Sequence, residues 1–212
     1  MQLQRNKTHN LALAGQKIDG ILIKPKETFS FWRIVGRVTA RQGYLPGLTI
    51  ASGQLGQDVG GGLCQLANMI HWLVLHSPLT ITEHHHHSDA VFPDENRRVP
   101  FGTGTSIFYN NVDYRFTNHT NQTLQLRIWL DDTDLCGELR GEQNFAYRYR
   151  LVEEEHYFSK EEDGFYRNSK VYRLCFNRDT GKQAEKQLLL LNHSKVLYNP
   201  ALIPPHEIRG EK

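Results

Sequence analysis

The chain of 212 residues carries 25 Lys and Arg against 23 Asp and Glu, a formal net charge of +2, with 39% hydrophobic residues. This length and composition fit one large globular domain, or one domain with a smaller attachment, and exclude a disordered chain. Basic residues are dispersed among acidic ones, which excludes a nucleic-acid stripe and a polybasic membrane patch and favours a small or neutral ligand.

The first residues, Met1 to Lys7, lack an apolar signal core, and no window approaches the roughly 18 apolar residues of a membrane helix. As written the chain is expected to be cytoplasmic, or extracytoplasmic if its N-terminus has been trimmed. Cys64, Cys136 and Cys175 are odd in number and widely spaced, which points to reduced thiols rather than a disulfide framework.

In chain order, Leu11, Ala14 and Ile18 share one face of a predicted helix from about Lys7 to Ile18, stopped by Asp19-Gly20. Ile21 to Ile23, Thr28 to Trp32 and Leu48 to Ala51 read as short strands. After Gly60-Gly61-Gly62, the residues Leu66, Met69, Ile70, Leu73 and Val74 recur at helical spacing, predicting an amphipathic helix from Leu63 to His76 that ends at Ser77-Pro78.

A β-type run, Leu79 to Thr82, leads into Glu83 and the four histidines His84 to His87. Further strands are expected at Ile107 to Tyr109, Val112 to Phe116 and Thr123 to Leu130, the last with Leu124, Leu126, Ile128 and Leu130 on one face. Phe145 to Leu151 and Val171 to Phe176 continue the pattern, with Asn177 to Gly181 as a hairpin loop. The acidic groups Glu153 to Glu155 and Glu161-Glu162 read as solvated hairpin edges. The fold class is therefore α+β: two helices packed on a largely antiparallel sheet, with C-terminal β-hairpins. The boundary is expected near Gly141 to Asn144, dividing 1–142 from 143–212.

Glycine loop, cysteine, helix, strand and histidine follow one another in the order used by thiol acyl-transfer enzymes. Cys64, at a helix N-terminus among unpaired amides, is the expected nucleophile, with its thiol pKa depressed by the helix dipole. Its own amide, and the amide or side chain of Gln65, are candidate oxyanion donors. Gly60, Gly61 and Gly62 mark close backbone approach to a ligand or to another segment.

Alternate histidines of a strand face opposite sides, so either His85 and His87 or His84 and His86 point toward the site. Asp113, between Val112 and Tyr114, is a candidate to orient the imidazole, and Asn111, Asn118, Glu83 and Ser88 are alternatives. A metal at the histidine run would need suitably spaced ligands with a carboxylate or thiolate beside them, so neither a metal nor a cofactor is expected, and a zinc site there is the third alternative.

Phe29-Ser30-Phe31, Gly36, Thr39, Gly43-Tyr44, then Gly60 to Asn68, then Glu83 to Ser88 resemble the successive motifs of the VanW family. The likeness runs from about Asn6 to Gly141 and more weakly into the C-terminal region, as in the short members linked to glycopeptide-resistance clusters. The resemblance implies a bacterial protein connected with peptidoglycan, since some VanW domains are cysteine-dependent L,D-transpeptidases.

Carried over, Cys64 matches the family cysteine, and Glu83, His85, His87 and Ser88 match its Glu-Arg-His-x-His-Ser pattern. His84 stands where the family usually has arginine, and Gly102 to Thr105 lacks an aspartate that relatives tend to carry near Gly104. Two functions follow as expectations. One is acyl transfer or amide hydrolysis on a peptidoglycan stem peptide or related small peptide, by Cys64, His85 or His87, and Asp113. In it Gly60, Gly61, Gly62, Gln65, Glu83, His84 and Ser88 hold the substrate. The other is a non-catalytic module that binds such peptides or a glycopeptide.

Overall fold

A computed structural model describes residues 2–51, 54–86, 89–93 and 99–209. Helix α1 (Gln2–Ile18) is followed by β1 (Ile21–Ile23), β2 (Thr28–Ser30), α2 (Phe31–Val35), β3 (Pro46–Ala51), β4 (Gln54–Val59) and α3 (Leu63–Leu75). The chain continues through β5 (Thr80–Glu83), β6 (Asp89–Ala90), β7 (Arg115–Thr117), β8 (Leu124–Leu130) and β9 (Leu135–Gly141). It ends with β10 (Tyr147–Glu161), β11 (Gly164–Asn177), β12 (Gln183–Val196) and β13 (Ile208–Arg209). The class is α+β, with antiparallel pairing predominant. Among the described residues no helix is long and apolar enough to cross a membrane.

Two compact units divide the chain: Met1–Ala51, Leu55–His85 and Thr105–Ala146 form one, and Ser52–Gln54, His86–Gly104 and Tyr147–Lys212 the other. The first holds two three-stranded sheets, β1-β8-β9 and β2-β7-β5, and the β3-β4 pair. Leu11, Ala14 and Ile18 of α1 and Leu66, Ala67, Ile70 and Val74 of α3 are buried together with Phe29, Phe116, Leu124, Leu126 and Ile128. The stripe spacing of both helices and the two-residue alternation of β8 meet in this core, and burial of these side chains at about 25 cal/mol per Å² is its main stabilisation.

The second unit is built on the long meander β10-β11-β12, edged in parallel by β13 and β6. Its core is small: Ala90, Phe101, Phe158, Val196 and Ile203.

The elements differ from the sequence pattern in several places. Helix α1 begins at Gln2, a turn and a half before Lys7. Of the strand expected over Thr28 to Trp32 only the first three residues are extended, because Ser30 caps α2 by accepting from the Arg33 amide at 3.2 Å. The β pattern over Ile107 to Phe116 becomes a tight turn closed by the bridge Phe108–Val112, with only Arg115–Thr117 in a sheet.

Candidate functional site

The turn from β4 into α3 is made by the three glycines. A side chain on Gly61 would collide with the backbone of Gly47, and Gly62, the N-cap of α3, has φ 99°. Asn10 of α1 fastens the turn, donating to the carbonyls of Leu45 and Gly61 at 2.9 and 3.0 Å and accepting from the Leu45 amide at 2.8 Å. The close approach marked by Gly60, Gly61 and Gly62 is thus met by Val38, Gly47 and Lys7 of this chain.

Cys64 is the second residue of α3, half-buried and packed against the core. Its own amide and that of Ile107 face the sulfur. Burial nevertheless pushes the thiol pKa up, and these amides offset that only in part. The expected depression of the pKa is therefore corrected: loss of solvation outweighs the helix terminus here.

The segment that carries Ile107 lies along α3. The Thr105 amide donates to Asn68 Oδ1 at 2.6 Å, while the intervening Ser106 amide donates to the His85 carbonyl, also at 2.6 Å. Successive amides of an extended chain point in opposite directions, so Thr105 and Ile107 serve the helix and Ser106 serves the histidine segment. Gln65, which follows Cys64, is exposed, and its amide is bound to the Gly62 carbonyl at 3.0 Å.

Strand parity in β2-β7-β5 explains where the remaining candidates go. Phe29, Phe116 and Ile81 are in register, and Phe29 and Phe116 stack in the core at 4.7 Å. Ser30, Arg115 and Glu83 form the next row, so they occupy the other face. A bulge between Ile81 and Glu83 keeps both rows in register.

His84 and His85 are divided in the same way. His84 stacks on His71 of α3, with ring centroids 4.4 Å apart. His71 is buried and its Nδ1 lies 3.0 Å from the Tyr114 hydroxyl. Burial, and secondarily the proximity of His84, pushes the His71 pKa down to about 3. Burial alone pushes the Tyr114 hydroxyl well above its usual value. His85 instead is exposed, and its Nε2 lies 3.4 Å from Glu83 Oε1.

Asp113 is buried and filled by four donors. Ser30 Oγ and Arg115 Nε bind Oδ2 at 2.6 and 2.7 Å, and the amides of Trp32 and Tyr114 bind Oδ1 at 3.0 and 2.9 Å. Burial would raise its pKa, but the bonds from Ser30, Arg115, Trp32 and Tyr114 together hold it below the usual carboxylate value. Its own amide donates to Glu83 Oε1 at 3.0 Å.

None of these donors is an imidazole, so the expectation that Asp113 orients a histidine is corrected: Ser30 and Arg115 already occupy it. The carboxylate beside His85 is Glu83. The structure thus brings Glu83, His85 and Asp113 into one network and leaves Cys64 in another with Ile107, while the candidates His87 and Ser88 fall outside the described residues. Ser30, Asn68, His71, Ile107 and Arg115 were not among the site candidates read from the sequence, although Ser30 and Asn68 lie within the motifs that carry the resemblance. Asn68 and His71, at four and seven residues from Cys64, carry the one local signal that marks them, a shared helix face.

Three comparisons bear on this arrangement. The family described as "VanW like protein" matches residues 6–140. The Vancomycin B-type resistance protein VanW of Enterococcus faecalis (strain ATCC 700802 / V583) is 35% identical over 198 residues, 93% of this chain and 72% of that protein. The uncharacterized protein YoaR of Bacillus subtilis (strain 168) is 32% identical over 123 residues, 58% of this chain and 39% of that protein. No solved structure matches.

Proposed function

Because this chain belongs to the VanW family, which is linked to vancomycin resistance, we propose that it is a thiol acyltransferase or amide hydrolase for peptidoglycan-type peptides. The observation that carries the proposal is the half-buried Cys64 sulfur at the start of α3, whose ionised form the amides of Ile107 and Cys64 favour. Donors that now face sulfur lie beside the position an oxygen takes when a carbonyl carbon bonds to that sulfur.

In the step proposed, the Cys64 sulfur bonds to a peptide carbonyl carbon, the amide C–N bond breaks, and the thiol proton passes through an imidazole of the histidine run to the leaving amine. His85, paired with Glu83, and His87 are the candidates for that imidazole, and the Asp113 amide positions Glu83 by donating to its Oε1. An amine, or water, then takes the acyl group from sulfur. No cofactor enters this step.

One feature favours a second function, binding of the same peptides without turnover: burial raises the thiol pKa of Cys64. Incubation with muropeptides, followed by chromatography of the products, separates the two. Turnover by the wild type that disappears in Cys64→Ala supports acyl transfer. Turnover that persists in Cys64→Ala overturns it, and thermal stabilisation by the peptides without turnover supports the binding module.

A further inference from the structure

We infer that Arg115 is the receptor for a carboxylate group of a ligand, on the face of β2-β7-β5 that carries Ser30 and Glu83. Arg115 is on the central strand of this sheet, directly between Ser30 and Glu83 in the register of its two neighbours. Its Nε is held at 2.7 Å from Asp113 Oδ2 and 3.3 Å from Glu83 Oε2. Asp113 is itself immobilised by Ser30 and by the amides of Trp32 and Tyr114. One edge of the guanidinium is therefore fixed by a buried anion that is fixed in turn.

Among the described residues neither terminal nitrogen of Arg115 has an acceptor, and half of the side chain is open to solvent. A planar group with its Nε clamped and both terminal nitrogens presented is an end-on fork, which matches the two oxygens of a carboxylate. Holding the fork in place beforehand removes the rotamer entropy that a free arginine loses on binding.

Glu83 and Asp113 do not compete for this fork. Their oxygens face Nε, the Ser30 hydroxyl, the amides of Trp32, Asp113 and Tyr114, and the His85 ring. The placement of Arg115 is independent of whether Cys64 is acylated, so this site stands or falls apart from the proposed thiol chemistry.

The probes are N-acetyl-D-alanyl-D-alanine as the free acid and as the C-terminal amide, titrated into the full chain by calorimetry, with the arginine Nε–H resonances followed by NMR. The free acid is expected to bind at least tenfold more tightly than the amide and to shift the Arg115 resonance. Arg115→Lys, which keeps the charge and loses the fork, is expected to lose that preference, with its circular dichroism spectrum showing that the variant is folded. Equal affinity for acid and amide, no binding of either, or a preference for inorganic phosphate over the acid would each overturn the assignment. So would an acid preference that survives in Arg115→Lys. Comparison of the two probes on the wild type needs no variant to fold.

Discussion

At the scale of single residues, burial sets the chemistry of Cys64 and His71 more strongly than their nearest dipoles do. The Cys64 thiol has two amides directed at it and still titrates above its usual value. Alkylation by iodoacetamide should accordingly be slow at neutral pH and accelerate through and above about pH 9, the usual thiol range. A rate already at its plateau at pH 7 would contradict that order of effects.

His71 gives the corresponding prediction for stability. Its native pKa is about 3 against 6.5 for a free imidazole, so the unfolded state binds the extra proton first. Stability from this group is present in full above about pH 6.5 and falls as the pH drops toward about 3; between pH 7 and pH 5 the loss is about 2 kcal/mol. Urea titrations at the two pH values should show this difference in the wild type and a smaller one in His71→Gln.

At the scale of elements, α3 and β8 were the parts most legible in the sequence. The apolar spacing from Leu66 to Val74 and the Ser77-Pro78 stop locate α3 to within a residue, and the alternation of Leu124, Leu126 and Ile128 does the same for β8. Both patterns are local, so a window of the chain contains the whole signal. Helix α2 has no such signal. Phe31, Trp32, Ile34 and Val35 are β-prone, and the helix exists because Ser30 caps it and Asp113, 81 residues from Trp32, accepts the Trp32 amide. Ser30→Ala removes both the cap and one Asp113 donor and should cost about 1 to 2 kcal/mol in chemical denaturation.

The site was legible to the same degree, and for the same reason. Cys64 at the head of a helix is readable from Gly60-Gly61-Gly62 and the apolar spacing that follows. What packs over the sulfur, and which way each histidine faces, depends on the Ile107 segment and on the register of β5 with β7, neither of which is local. The pairing of Asp113 with Ser30 spans 83 residues and leaves no trace in either neighbourhood. The glycines are constrained by packing: Gly61→Ala sets a methyl group into the Gly47 backbone and should destabilise by about 2 kcal/mol or more. A melting temperature unchanged in that variant would contradict the close approach.

At the scale of the whole molecule, the two units exchange a segment that no composition shift announces. Residues 86–104 precede the last strands of the first unit in the chain, yet belong with the second, because β6 pairs with β12 and Phe101 packs with Phe158 and Val196. A chain cut after residue 142 would keep β6 and Phe101 without β12, Phe158 or Val196. Limited proteolysis should then cleave the truncated chain at Ala90 or Phe101 at protease concentrations that spare these two positions in the full chain. Equal resistance in the two would show that the stretch does not depend on the C-terminal meander.

The proposed function rests at this scale on the Cys64 sulfur as the atom that would receive an acyl group. The most direct measurement is the intact mass of the full chain after rapid quenching from a wall-type tetrapeptide, with the modified residue located by fragmentation. The account predicts a mass increase equal to the acyl part of the peptide, confined to Cys64 and missing in Cys64→Ala. An unmodified chain recovered while the peptide is consumed, or an adduct on any other residue, would contradict it.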